Sequence, residues 1–219
     1  MRARASSRPN GRCERNSVHG GAAIARAWIT LVLGVGLVAA ASAAPSMSDE
    51  DRRRLNAGEV VVSDTLPPGA STTARGGTAV ALVRAAPERV WEVITDYPGH
   101  PRYYPRVTSA EVLERDERHV IVRYRVSVVP FSFGFYMDKY PDPRRRRVDW
   151  HLAEGRAHGL FRENSGYWQV DAADMAGTSL VTYAIAVRTL LLAFVTGGAG
   201  RASLVDTVTA LRKLVEAPR

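Results

Sequence analysis

Residues 86–106 read APERVWEVITDYPGHPRYYPR, and this stretch decides the architecture. Ala86 precedes Pro87, which suits the first position of a helix because its missing N–H would have no partner there. Glu88 falls in the first turn, where the helix dipole favours an acid. Val90, Trp91 and Ile94 share one side of that helix. Pro98 and Pro101 then forbid a long continuation. The spacing predicts a hinge of two short helices, rich in proline and tyrosine. It carries no nucleophile, metal-ligand or phosphate-binding pattern.

Working outward, residues 59–66 (EVVVSDTL) and 78–84 (TAVALVR) are short apolar runs that predict strands. A Pro/Gly/Ser/Thr-rich turn at 67–77 separates them. Beyond the hinge the period changes to two. Residues 108–113 predict one strand, and Asp116-Glu117-Arg118 a turn. Val120, Val122, Tyr124, Val126 and Val128 alternate with Arg123, Arg125 and Ser127, a half-buried strand. Pro130 breaks it, and Phe131, Phe133, Phe135 and Met137 alternate again. A turn at Pro141-Asp142-Pro143 leads to Val148, Trp150 and Leu152. Gly166, Trp168 and Val170 follow, then Val181, Tyr183, Ile185 and Val187 after a turn at Ala176-Gly177. Leu204, Val208, Leu211 and Val215 recur at helical spacing. The order is strands, two short helices, about five antiparallel strands and one long helix. This is an α+β fold, in which a curved antiparallel sheet has one face covered by the C-terminal helix. A bent sheet and a straight helix touch imperfectly, and the gap between them suits a pocket.

The N-terminal region reads differently. Six arginines precede residue 27, and an apolar run from Ala27 to Ala41 ends in Ala41-Ser42-Ala43-Ala44. This is the pattern of a secretory signal, residues 1–43, cleaved after Ala43. The alternative is a membrane anchor formed by residues 24–44. The expected destination is export, to a periplasmic or extracellular space. Residues 44–58 read as a linker with a short helix, and residues 59–219 as the domain. The formal charge of +8 is largely a property of the leader. Residues 1–43 hold six of 30 basic and one of 22 acidic side chains, which leaves 24 against 21, a net +3. That balance does not suggest a nucleic-acid partner. Cys13, the only cysteine, lies in the leader, so the domain rests on its core rather than on disulfides.

The order of elements resembles the helix-grip fold of the START-like superfamily. That superfamily includes polyketide cyclases, plant pathogenesis-related allergens and lipid-transfer domains. The carriers are the first-helix sequence at residues 85–97, Tyr104-Pro105-Arg106-Val107, and the hairpin sequences GYWQV (166–170) and GTSLVTY (177–183). The resemblance covers roughly residues 76–216 and is nearest to the coenzyme-Q-binding and polyketide-cyclase-like branch. It implies an apolar cavity under the long helix. The export signal departs from the mostly cytoplasmic or quinone-linked bacterial relatives, and favours a periplasmic lipid or isoprenoid ligand.

The expected pocket lining is Trp91, Tyr104, Tyr124, Val126, Phe133, Phe135, Trp150, Trp168, Tyr183, Leu204 and Val208. Core packing is the competing reading of each aromatic. Tyr124 and Tyr183 are expected to aim hydroxyls inward and orient a ligand carbonyl. Leu191, Leu192 and Phe194, followed by Gly197 and Gly198, read as an apolar lid able to touch a bilayer, or else as an extension of the neighbouring elements. The four arginines at 144–147 read as a solvated turn or a contact for anionic head groups. His100, His119, His151 and His158 form no metal-binding pair, and HExxH and GxSxG motifs are absent from the sequence. Asp138 and Glu163 are candidates for a pocket rim without a sign of a catalytic carboxylate. The sequence reading is a monomeric exported carrier of a hydrophobic small molecule, with no cofactor. The alternative is a polyketide-cyclase or dehydratase-like enzyme.

Overall fold

The structure is a computed structural model that describes residues 47–128, 130–190 and 198–218. Helix α1 spans Asp49–Asn56, with the Ser48 side chain accepting from the Asp51 N–H. Acids fill its first turn and arginines its last, as the dipole prefers. Helix α2 spans Pro87–Thr95 and buries Val90, Val93 and Ile94. A 3₁₀ turn, Tyr97–Arg102, follows directly and buries Tyr97 and His100. Pro98 and Pro101 explain the change of pitch, since neither can donate an α-helical hydrogen bond. Helix α3 spans Gly198–Glu216.

Among the described residues eight strands form one antiparallel sheet: β1 (Val61–Ser63), β2 (Arg75–Val83), β3 (Val107–Arg115), β4 (Val120–Val128), β5 (Phe131–Asp142), β6 (Arg147–Leu152), β7 (Phe161–Ala172) and β8 (Ser179–Thr189). Their order is β1-β2-β8-β7-β6-β5-β4-β3. From β3 to β8 the chain is a meander, and β2 pairs antiparallel with β8, so the first strands join the far edge of that meander. Among the described residues six strands follow the hinge, one for each run named from the sequence, where the rounded total is about five. The strand expected over 59–66 shrinks to three residues, since Pro67 and Pro68 leave nothing to continue the ladder. The turn expected at Pro141 begins later: β5 runs through Asp142, whose carboxylate then accepts the Arg144 and Arg145 N–H groups.

The inward face of the sheet and α3 share one apolar cluster that includes Val83, Val90, Ile94, Trp168, Val181, Val208 and Leu211. Helix α3 lies chiefly over β2 and reaches α2 and the 3₁₀ turn. Gly166 on β7 is needed for close approach. A Cβ there would sit 2.1 Å from the Ala184 carbonyl oxygen and 2.7 Å from the Trp150 ring.

Candidate functional site

The interior is not filled throughout. Between the concave face of the sheet and the first turns of α3 lies a cavity of about 190 Å³. Strand β4 contributes Tyr124 and Val126 to its wall, and β5 contributes Phe135, Met137 and Lys139. Trp150 of β6, Phe161 and Asn164 of β7, and Tyr183, Ile185 and Val187 of β8 complete the sheet side. Helix α3 presents Gly200, Ser203, Leu204 and Thr207. Exposed Arg75, Pro105 and Arg106 mark the rim, whereas Tyr124, Trp150 and Tyr183 are buried at its floor.

Lys139 is the unexpected member. Residues of one strand face the same side at every second position, so Phe135, Met137 and Lys139 all point inward. Lys139 is only 3% exposed. Its ammonium lies 4.2 Å from the centroid of the Trp150 ring and 5.5 Å from that of Tyr124. These aromatic faces attract a cation but do not neutralise it. Among the described residues no carboxylate or hydrogen-bond acceptor pairs with it, and no acid lines the cavity. Burial therefore pushes its pKa from 10.5 down to about 7. That drop corresponds to roughly 5 kcal/mol of lost preference for the charged form.

Asn164 flanks the same indole. Its side-chain oxygen accepts from Trp150 Nε1 at 3.3 Å, which leaves its amide N–H groups for the cavity. Behind Tyr124 lies a fixed relay. His100 Nε2 donates to the Ile94 carbonyl at 2.9 Å, so Nδ1 is the acceptor for the Tyr124 hydroxyl at 2.7 Å. Burial, and then the Lys139 charge, hold the His100 pKa well below 6.5 and keep the ring neutral. Tyr97 and Tyr103 pack around this imidazole with hydroxyls that have no partner among the described residues. Burial raises the Tyr97 pKa to about 12 and keeps the phenol protonated.

The sequence-expected residues divide into two groups. Tyr104, Tyr124, Val126, Phe135, Trp150, Tyr183 and Leu204 stand on the wall. Trp91, Phe133, Trp168 and Val208 do not. Trp91 is half-buried at the margin of the core on α2. Phe133 sits further out on β5, near Gly159 and Phe131. Trp168 stacks behind Tyr183 at 4.2 Å and donates to the Tyr104 hydroxyl at 2.6 Å. Val208 is wholly buried in the packed cluster. The expectation for Tyr124 needs correction too, because its proton is committed to His100 rather than to a ligand. Leu191, Leu192 and Phe194 lie outside the described residues. Asp138 is held by His119 at 2.9 Å, and Glu163 accepts from the Ser71 N–H and hydroxyl, so neither is a wall residue. Of the arginine run, Arg146 pairs with Glu88, and Arg147 pairs with Asp149 while covering the Tyr167 ring. Lys139 had a signal in the sequence: the alternation from Phe131 to Met137 continues one step to a lysine on the apolar side.

A helix laid across a curved antiparallel sheet over a hollow defines the helix-grip, START-like class. Residues 83–212 match the family of polyketide cyclase/dehydrase and lipid transport proteins, and the chain belongs to it. The fold is similar to that of a STAR-related lipid transfer protein from Xanthomonas axonopodis, with TM-score 0.53, 14% identity, and 72% of this chain and 99% of that one covered. It is also similar to the ZhuI aromatase/cyclase from Streptomyces sp. R1128, with TM-score 0.50, 21% identity, and coverage of 64% and 92%. A START superfamily protein from Mycobacterium smegmatis gives TM-score 0.50 and 17% identity, with coverage of 64% and 92%. No match was found among curated protein sequences. The family joins hydrophobic-ligand binding with cyclase chemistry.

Proposed function

We propose that this chain is an exported binding protein that carries a hydrophobic small molecule in the cavity between the sheet and α3. The observation that supports it is the hollow itself, walled by Val126, Phe135, Met137, Phe161, Ile185 and Leu204. Binding draws on apolar burial worth roughly 25 cal/mol per Å², less the cost of ordering the ligand. Export is supported by the arginine-rich start, the apolar run and the Ala41-Ser42-Ala43 ending. Ligand exchange takes place at a lipid bilayer. Exposed Phe131 and Leu190 stand at the end of the sheet where Val126 and Val187 line the cavity. The direct test is native mass spectrometry of protein taken from the exported fraction, with extraction of what it holds and sequencing of its mature N-terminus. An empty protein that also refuses every apolar probe sinks the carrier reading, and an intact N-terminus sinks cleavage. Flotation with phosphatidylglycerol vesicles tests membrane contact: Phe131→Asp with Leu190→Asp should abolish it.

A second reading, a cyclase-like enzyme, is favoured by Lys139. An amine half neutral near pH 7 is a competent base for proton removal beside a carbonyl. Recovery of a bound molecule chemically changed after incubation would select this reading over carriage.

A further inference from the structure

Resting on the cavity-binding reading, we propose that the ligand is an amphipathic monocarboxylic acid. Its carboxylate sits on the Lys139 ammonium and the Asn164 amide beside Trp150, and its apolar body runs toward Phe135 and Phe161. The argument begins with charge. Buried cations are normally paired, because leaving water without a counter-ion is costly. Lys139 is buried, and among the described residues it has no such partner, while the other charged wall residues, Arg75 and Arg106, are also basic. The missing partner is therefore an anion supplied from outside. One buried cation neutralises one negative charge. A phosphate dianion would leave a second charge in an apolar hollow, and a neutral alcohol would leave the ammonium uncompensated. A carboxylate is an acceptor-only group with two oxygens, which matches one ammonium over the face of the indole and one amide donor at its Nε1 edge.

The surroundings give this site a proton linkage. Facing Lys139 are Tyr124 on β4, Trp150 on β6, Asn164 on β7 and Tyr183 on β8, with His100 behind Tyr124, and none of them carries a negative charge at neutral pH. In the empty protein the amine is only partly protonated near pH 7. The bound acid fixes the charged form, so binding takes up protons. Above about pH 7 affinity for an acid should fall roughly tenfold per pH unit, while affinity for a matched alcohol stays level.

The test is calorimetric titration of the purified chain with octanoic acid and with octanol. Wild type should prefer the acid at pH 6, lose that preference by pH 9, and show buffer-dependent heats from proton uptake. Lys139→Met should lose on the order of 100-fold in affinity for the acid and none for the alcohol. Equal binding of both probes by wild type across the pH range overturns the carboxylate seat and leaves the cavity reading standing. Undiminished acid binding by Lys139→Met does the same. Binding of neither probe overturns both. The pH series on wild type stands whether or not the variant folds.

Discussion

Helix α3 covers two interiors of opposite character. Toward its C-terminus, Leu211 and Val215 belong to the same packed cluster as Val83, Val90 and Ile94. Toward its N-terminus the same helical face presents Gly200, Ser203 and Thr207 beside Leu204, and there the space is left open. Periodicity is the same in both halves. What differs is side-chain volume, and the way the small polar residues are satisfied: Thr207 bonds the Ser203 carbonyl at 2.7 Å and so makes no demand on the hollow. A cavity in this fold comes from withholding volume along one end of a helix, with no change in the helix itself.

The contrast breaks most visibly in the filled half. Trp168→Ala should cost about 3–5 kcal/mol, because it removes a large buried ring, its stacking on Tyr183 and its bond to Tyr104. Leu211→Ala should cost about 2–5 kcal/mol, and Leu204→Ala should fall at the lower end of that range because one side of Leu204 already faces open space. Urea denaturation measures all three. Equal losses at 204 and 211 would mean that the two halves are packed alike.

Next in size is Lys139, the charge in the hollow half. Below pH 7 its amine is protonated in both folded and unfolded chains, and the folded state bears the full cost of burying the charge. Between about 7 and 10.5 the folded state has released the proton and the unfolded chain keeps it, so stability rises with pH. Above 10.5 the amine is neutral in both states and the cost is gone. Lys139→Met should therefore be more stable than wild type by a few kcal/mol near pH 6, with the gap closing toward pH 10.5. Thermal melts across that range check it. A gap that does not change with pH would place the amine in contact with water.

The two halves were not equally legible in the sequence. The hinge at residues 86–106 could be read because Pro87, Pro98 and Pro101 constrain the backbone locally. The strands could be read because inward residues recur at period two. Periodicity says that Trp168 and Tyr183 both face inward, but it cannot say that one ring lies behind the other, which is a matter of depth. His100 gave no signal at all, since its burial depends on Ile94 and Tyr124 meeting around it in space. Lys139 was legible in principle. It stands at the inward step after Met137, where an alternation read by apolar residues alone stops one position short.

The relay behind the wall gives a smaller effect. Tyr124→Phe leaves His100 Nδ1 buried without its donor, which should cost about 1–3 kcal/mol. The neutral imidazole also ties stability to acid. Its pKa lies well below 6.5 in the folded chain, so as pH falls below 6.5 the unfolded state gains a proton that the folded state refuses, and stability declines. In a variant lacking the imidazole, His100→Phe, this part of the acid sensitivity should vanish. A wild-type acid slope retained in full would show that His100 is accessible to protons.

The smallest change in stability is expected where the comparison is sharpest. Thr207→Met replaces a self-satisfied hydroxyl residue with a flexible apolar side chain directed into the hollow. Filling empty space gains contacts, while removing the Thr207 bond to Ser203 costs little in a helix that keeps its own ladder. The net change should lie within about 1 kcal/mol of zero. Ligand binding should nevertheless be lost, because the hollow half would now be filled as the other half is. Octanol titration of the folded variant measures this. Undiminished binding would show that the ligand lies elsewhere than under the first turns of α3.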